Sequence, residues 1–182
     1  YTPSGDTHLL LADFTGHGLP AAIGAMPLAE VFYSMTAKGY GLAEILREMN
    51  AKLKRILPVD MFCCAALLCV SAQRRCVEVW NGGMPDGYLQ AALSGQRTAL
   101  TSQHLPLGVL RAEVFDHTTQ VLPMLPGDQV FLLTDGVIDT CGPNQQLFGV
   151  ERLERVLDAN RHPLQLIAEV EQALRDFQGQ AR

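Results

Sequence analysis

The sequence predicts an α+β fold in which two mostly antiparallel sheets are layered between pairs of helices, as an α-β-β-α sandwich. Three observations predict this class. Two segments near the beginning of the chain carry apolar residues at helical spacing. A series of short apolar runs separated by turn residues follows, and two more helical segments close the chain. Helix pairs on either side of many strands favour a layered domain with a sheet sandwich inside.

The composition is that of a globular protein. The 182 residues favour one domain, 1–182, and permit a sizeable core. Apolar residues make up 48% and charged residues 18% of the chain. The net charge of −5, without a basic patch, argues against nucleic-acid binding. The apolar run 62–70 is too short to span a bilayer, so we expect no membrane association.

The cysteines predict a reducing, cytoplasmic compartment. Five is an odd number, and no Cys-x-x-Cys pair typical of a zinc site is present. A domain of this size does not need disulfides for stability. We therefore expect the thiols to act as small buried apolar groups; they are Cys63, Cys64, Cys69, Cys76 and Cys141.

Two helices are predicted in the first third of the chain. The first follows Gly18, with Pro20 in its first turn, and Pro27 should bend or split it. Its predicted apolar stripe includes Leu19, Ile23, Met26, Phe32 and Tyr33. The second has the clearest periodicity in the chain and ends at Pro58. Its stripe comprises Leu42, Ile45, Leu46, Met49, Leu53, Ile56 and Leu57.

Strands and two closing helices are predicted in the remainder. The run from Phe62 to Val70 is almost wholly apolar, as expected for a strand buried on both faces. The stretch from Arg75 to Trp80 alternates, so one of its faces should meet solvent. Further strands are predicted at Gly87 to Ala92, Val114 to Val121 and Gln129 to Thr134, and helices at Glu151 to Asp158 and Pro163 to Phe177.

Two aspartates are the candidate catalytic residues. Asp13 and Asp135 each end an apolar run and precede residues that favour a sharp turn. A carboxylate at the end of a buried strand is unfavourable unless it is paired, hydrogen-bonded or bound to a cation. If the two strands are neighbours, both carboxylates can face one pocket and bind Mg²⁺ or Mn²⁺. The alternative is that both aspartates simply cap turns or helix starts.

An ordered series of short motifs resembles one protein family. The stretch 13–18 and the following Pro20-Ala21-Ala22 resemble the Asp-x-Ser-Gly-His-Gly-x-x-Ala-Ala motif of PPM-type phosphatases, in their RsbU and sporulation stage II E branch. Pro126-Gly127-Asp128 and Thr134-Asp135-Gly136-Val137 resemble the Pro-Gly-Asp and Thr-Asp-Gly-Val segment of the same branch. Further similar segments are Pro106-Leu107-Gly108, Phe148-Gly149 and Arg152-Leu153.

The resemblance implies a metal centre and a set of ligands. Asp13 would bridge two Mn²⁺ or Mg²⁺ ions, the Phe14 backbone carbonyl would assist, and Asp135 would be a second metal ligand. His17 would make a supporting hydrogen bond near the ions. The helix pair between Leu19 and Leu57 resembles the regulatory switch element of the family, and its tilt would control assembly of the site.

The chain also departs from the family pattern. A first metal-binding Gly-Asp would precede Tyr1, and a final Asp-Asp-x-Thr strand would follow Arg182. We therefore expect a phosphatase domain trimmed at both ends, in a protein with an N-terminal receiver or sensor domain. Met84 stands where relatives usually have histidine. The alternative explanation for the absence of these two ligand segments is a degenerate site.

Three functions follow from these observations. The first is a metal-dependent serine/threonine phosphatase acting on a phosphorylated partner protein, such as an anti-sigma antagonist in a sigma-factor pathway. The second is a catalytically degenerate adaptor that binds a sigma factor or its regulator. The third is a hydrolase of small phosphorylated molecules. A homodimer through the switch helices is compatible with each. Because Asp13 and Asp135 are both present, the sequence favours the phosphatase.

Overall fold

The structure, a computed structural model, describes residues 1–16, 18–160 and 163–179. The chain divides into two compact units, Tyr1–Leu132 and Leu133–Arg182. The first unit contains both sheets and the first helix pair, and the second is helical. No helix in the described ranges is long and apolar enough to cross a membrane.

The first unit contains two antiparallel sheets. A four-stranded sheet has the order β1-β2-β3-β6, and a three-stranded sheet has the order β5-β4-β7. The strands are β1 (Thr7–Phe14), β2 (Cys63–Ser71), β3 (Cys76–Gly82), β4 (Gly87–Gln90), β5 (Arg97–Leu100), β6 (Gln120–Pro123) and β7 (Gln129–Phe131). Every pairing between these strands is antiparallel. The predicted α+β class with two antiparallel sheets is therefore confirmed.

Helices α1 (Leu19–Ala37) and α2 (Leu42–Ile56) connect β1 to β2. The apolar face predicted for α2 is confirmed, because its core positions from Leu42 to Leu53 are at most 1% exposed. The Glu44 carboxylate accepts a hydrogen bond from the Gly41 N–H (3.1 Å), which satisfies a donor at the start of the helix. Lys54 and Arg55 lie in the last turn, where positive charge favours the helix dipole.

Two apolar clusters lie on opposite faces of the four-stranded sheet. One joins α1 and α2 to the sheet through residues such as Leu46, Leu67 and Trp80. The other fills the space between the two sheets with Leu68, Val77, Val79, Leu89 and Leu100. The first unit is thus a helix layer on two stacked sheets, the arrangement expected of a sandwich core.

The described part of the second unit contains three α-helices and a short 3₁₀ turn. Helix α3 spans Asp135–Ile138, α4 spans Gly149–Ala159 and α5 spans Leu166–Phe177, after the turn Pro163–Gln165. Helices α4 and α5 contact each other, and the Phe148 and Phe177 rings meet edge to face with centroids 5.5 Å apart. The two closing helices were predicted within a few residues of their observed bounds.

The stripe predicted for α1 is wrong at three of its positions. Ile23, Met26 and Tyr33 are exposed, whereas Leu28, Val31 and Phe32 are buried against the sheet. Helix α1 carries apolar residues around most of its circumference, so its pattern contains little directional information. Helix α1 continues through Pro27, so of the two predicted effects, a bend or a split, the split does not occur.

Three strand predictions also need correction. Strand β3 is buried on both faces, because Trp80 packs into the cluster beneath α1 and α2 while Val77 and Val79 pack between the two sheets. The alternation read from Arg75 to Trp80 reflects only the half-buried Glu78. Residues 114–119 form no strand, since the strand in that region begins at Gln120. Strand β5 was not predicted, and β7 ends at Phe131 rather than Thr134.

We expect Leu46→Ala to lower the free energy of unfolding by about 2–5 kcal/mol, because it leaves a cavity beneath α2 at a fully buried position. Arg47→Ala, at the exposed neighbouring position, should change this free energy by less than about 0.5 kcal/mol. Chemical denaturation of both variants makes the comparison. Equal losses would show that the two faces of α2 do not differ as described.

Candidate metal site

The end of β1 carries the first candidate ligand. Strand β1 pairs with β2 so that Asp13 lies opposite Cys64 and Phe14 opposite Cys63. The side chains of Leu10, Ala12 and Phe14 pack into the helix-side cluster. Because side chains alternate between the faces of a strand, Asp13 lies on the opposite face, which it shares with Cys64.

The Asp13 side chain is half-buried. Among the described residues, none donates a hydrogen bond to its carboxylate or forms an ion pair with it. A half-buried carboxylate without a partner is unfavourable, and a bound cation would relieve that cost. A carboxylate in this environment can serve as a metal ligand, the role predicted for Asp13.

Thr15 holds the end of the strand in place. Its N–H donates to the Phe62 carbonyl (3.0 Å), and its hydroxyl donates to the same oxygen (3.2 Å). The Phe62 N–H in turn donates to the Thr15 hydroxyl oxygen (3.0 Å). The threonine side chain thus takes the place of a backbone acceptor and extends the ladder by one pair beyond Phe14.

The ladder also indicates the direction of the Phe14 carbonyl. In an antiparallel pair, hydrogen-bonded and non-bonded residue pairs alternate. Since Thr15 donates to Phe62, the bonded pair before it is Asp13 with Cys64, and Phe14 with Cys63 is a non-bonded pair. The Phe14 carbonyl therefore faces the open edge of the sheet, where its oxygen is available as a ligand.

Glycines shape the turn between β1 and α1. Gly16 and Gly18 have φ angles of 83° and 75°, in the left-handed region that other residues rarely adopt. Gly24, within α1, allows the helix to approach closely, because a Cβ at that position would collide with the Phe14 ring. His17, predicted to make a supporting hydrogen bond, lies outside the described residues.

Asp135 begins α3 and is exposed. The expectation that it directly ends a strand is wrong, because β7 ends at Phe131 and three residues intervene. Its backbone carbonyl accepts the Asp139 N–H (2.8 Å). No described residue donates to its carboxylate. Furthermore, β7 pairs with β4, and β1 pairs with β2, so the two strands are not neighbours within one sheet.

The available donors suit a hard cation but make an incomplete set. Carboxylate and carbonyl oxygens are the ligands that Mg²⁺ and Mn²⁺ prefer. Within the described part of the chain, no three His, Cys, Asp or Glu side chains lie close enough together to hold a metal ion. The candidate ligands for such a cation are therefore Asp13 and the Phe14 carbonyl at the end of β1. Asp135 is a separate exposed carboxylate.

Two cysteines at the start of β2, Cys63 and Cys64, lie beside the end of β1, and their place there was not foreseen. Burial, and to a smaller degree the neighbouring Cys64 and Asp13 groups, raise the pKa of the Cys63 thiol to about 12. Cys63 is therefore a neutral thiol at physiological pH and acts as a small core residue. The expectation of buried cysteines holds for Cys63, Cys69 and Cys76, whereas Cys64 is half-buried and Cys141 exposed.

Comparison with known proteins identifies the family. The sequence profile described as Stage II sporulation protein E (SpoIIE) matches residues 3–182, nearly the whole chain. The chain belongs to this family. The resemblance read from the short motifs is therefore confirmed.

One curated relative is the phosphoserine phosphatase RsbP of Bacillus subtilis (strain 168), which is 24% identical to this SpoIIE-family chain over 135 residues. The match covers 72% of this chain and 33% of RsbP. The SpoIIE-family chain thus spans about a third of the length of that relative.

Solved structures show the same fold. The SiaA-PP2C domain of Pseudomonas aeruginosa has a TM-score of 0.74 at 24% identity, covering 96% of this chain and 74% of that chain. The RsbU and RsbW domains of a Mycobacterium tuberculosis protein match with a TM-score of 0.72 at 20% identity, over 94% of this chain and 48% of that chain.

A third structure contains metal ions. It is the catalytic domain of the serine/threonine protein phosphatase PstP in complex with two manganese ions, with a TM-score of 0.64 and 16% identity. The match covers 95% of this chain and 86% of that chain. At these identities, all three structures establish the fold.

We expect Thr15→Val to lower the free energy of unfolding by about 1–3 kcal/mol, because it leaves the Phe62 N–H without its acceptor. Thr15→Ser keeps the hydroxyl and should lose less than about 1 kcal/mol. Denaturant unfolding of the two variants makes the comparison. Similar losses in both would mean that the methyl group of Thr15, and not its hydroxyl, stabilises the strand end.

Proposed function

We propose that the chain is the catalytic part of a metal-dependent protein serine/threonine phosphatase. One observation carries the proposal: in a chain of the SpoIIE family, the half-buried Asp13 carboxylate at the end of β1 has no protein partner among the described residues. Its place in the motif 13–18 agrees with a ligand role. Asp13 and Asp135 are the proposed catalytic residues.

Each proposed ligand has a distinct role. Asp13 would hold divalent cations through its carboxylate, and the Phe14 carbonyl, which points away from β2, would add an oxygen ligand beside it. Asp135 supplies a second carboxylate from the start of α3. The β1–β2 ladder and Thr15 keep the first two ligands in position, and such support maintains ligand geometry at metal sites.

The chemistry assigned to the residues needs no protein nucleophile. When bound, two Mn²⁺ or Mg²⁺ ions would lower the pKa of a water molecule and neutralise the phosphoryl oxygens for in-line attack. The task of Asp13 and Asp135 is to hold negative charge at defined positions. The Phe14 carbonyl adds a neutral ligand whose direction is set by the ladder.

The proposed substrate is a phosphoserine or phosphothreonine on a partner protein. RsbP, the curated relative, is named a phosphoserine phosphatase. The RsbU domain of the Mycobacterium tuberculosis protein carries the name of the branch that the motifs resemble. We therefore propose an anti-sigma antagonist as the partner, in a sigma-factor pathway.

The cysteine residues, which form no disulfide among the described residues, favour a reducing compartment such as the cytoplasm.

We expect the intact protein to hydrolyse p-nitrophenyl phosphate and a phosphoserine peptide with Mn²⁺, and Asp13→Asn and Asp135→Asn to lower turnover more than about a hundredfold. The loss follows because asparagine lacks the negative charge that binds the cations. Asp60→Asn is the matched control, since Asp60 is an exposed loop carboxylate whose left-handed backbone (φ 71°) asparagine tolerates.

Turnover that survives both substitutions would contradict the assignment of these ligands. A folded protein without turnover that still binds its partner would instead support the adaptor. Hydrolysis of the small ester alone, with no preference for the peptide, would support a hydrolase of small phosphorylated molecules.

A further inference from the structure

One polar residue interrupts the buried face of α2. Asn50 is fully buried among apolar neighbours, although asparagine is normally exposed. A buried amide is unfavourable unless both of its ends are hydrogen-bonded. Both ends are satisfied here: the Asn50 Nδ2–H donates to the Leu110 carbonyl (3.1 Å), and Oδ1 accepts the Gly108 N–H (2.9 Å).

These bonds fix one loop, residues 106–110, to α2. Gly108 has a φ of 86°, and a Cβ at this position would lie 3.3–3.4 Å from atoms of Leu53 and Leu57. The loop therefore lies directly against the helix. The Lys54 Nζ–H also donates to the Val109 carbonyl (2.9 Å), one turn beyond Asn50. Helix α2 thus holds the 106–110 loop at three consecutive residues.

The other side of the 106–110 loop is attached to β2. Leu107 and Cys63 exchange two backbone hydrogen bonds, of 2.8 and 3.0 Å. Cys63 lies opposite Phe14 in the ladder, and the residue before it, Phe62, is the one bonded to Thr15. Backbone and amide groups thus form a continuous path from Asn50 to Phe14 and Thr15, the two residues that follow Asp13.

We propose that Asn50 is a positioning residue for the metal ligands: through the 106–110 loop and Cys63, it holds the end of β1 that carries Asp13 and Phe14. The effect on metal binding rests on the proposed function. The hydrogen-bonded path from Asn50 to the end of β1 does not depend on that function. A leucine has the same branched shape with a larger volume, but it would provide no partner for Gly108 or Leu110. A polar residue at this buried position therefore specifies where the loop lies relative to α2.

Movement of α2 can be transmitted along this hydrogen-bonded path to the end of β1. A shift of α2 along or across the sheet displaces the 106–110 loop. The loop not only packs against the helix but is hydrogen-bonded to the Asn50 and Lys54 side chains. The loop in turn shifts Cys63 relative to Phe14. A shift of α2 that moves Asn50 therefore reaches the metal ligands without passing through the Gly16–Gly18 turn.

The first test measures amide hydrogen exchange by NMR in the Asn50→Leu variant. Leu46→Ala is the matched control, because it also destabilises the buried face of α2 but removes no hydrogen bond to the loop. Relative to this control, Asn50→Leu should exchange about tenfold faster or more at the amides of Leu107, Cys63 and Thr15. Equal exchange at these amides in the two variants would overturn the proposal.

The second test measures Mn²⁺ affinity of the intact protein by calorimetry, together with the Mn²⁺ dependence of turnover. Asn50→Leu should weaken affinity about 10–100-fold, as expected for groups that support metal ligands, and saturating Mn²⁺ should restore most of kcat. Leu46→Ala should remain within about twofold of the unaltered protein. A similar affinity in both variants would overturn the positioning role.

The outcomes separate the two proposals. If Asp13→Asn keeps its Mn²⁺ affinity and turnover, the proposed metal site fails, and the exchange experiment still decides the path from Asn50. If Asp13→Asn loses both while Asn50→Leu keeps both, the phosphatase stands and the positioning role fails. Should Asn50→Leu not fold, Asn50→Ala removes both hydrogen bonds to the loop without adding volume, and it should show the same changes.

Discussion

The fold of the first unit depends on the burial of both faces of strand β2. Ala65, Leu67 and Cys69 face the cluster beneath α1 and α2, and Leu68 faces the cluster between the sheets. The same strand pairs with β1 on one side and β3 on the other. Because β2 contributes to both apolar clusters and to two ladders, its position determines where β1 ends and therefore where Asp13 lies.

The ladder between β1 and β2 gives two neighbouring residues different environments. Phe14 turns its ring toward the helices, where Gly24 allows close packing, while its carbonyl faces the sheet edge. Asp13 turns its carboxylate to the opposite face. One strand end thus combines an apolar anchor with two oxygen groups, and hydrophobic packing of the anchor limits the movement of the oxygens.

Polar groups inside the helix-side core determine how the loops join it. Apolar side chains can exchange neighbours at little cost, but a buried amide must meet a donor and an acceptor at defined places. Asn50 meets both in the 106–110 loop, and Thr15 does so at Phe62. These contacts join segments 47 to 60 residues apart in the chain, so the core and the strand end form a connected hydrogen-bonded frame.

The sequence by itself determined the family, the α+β class, helix α2 and the buried strand near residues 62–70. Strong periodicity and long apolar runs are local signals. The ordered motifs containing Asp13 and Asp135 can also be recognised from the order of the residues alone. Only the tertiary structure decided the buried face of α1, the place of β6, the break between β7 and Asp135, and the partners of Asn50. The physical reason is that each depends on contacts between distant segments: an evenly apolar helix has no preferred face until a sheet covers one, and a buried amide is identifiable only by the groups that it meets.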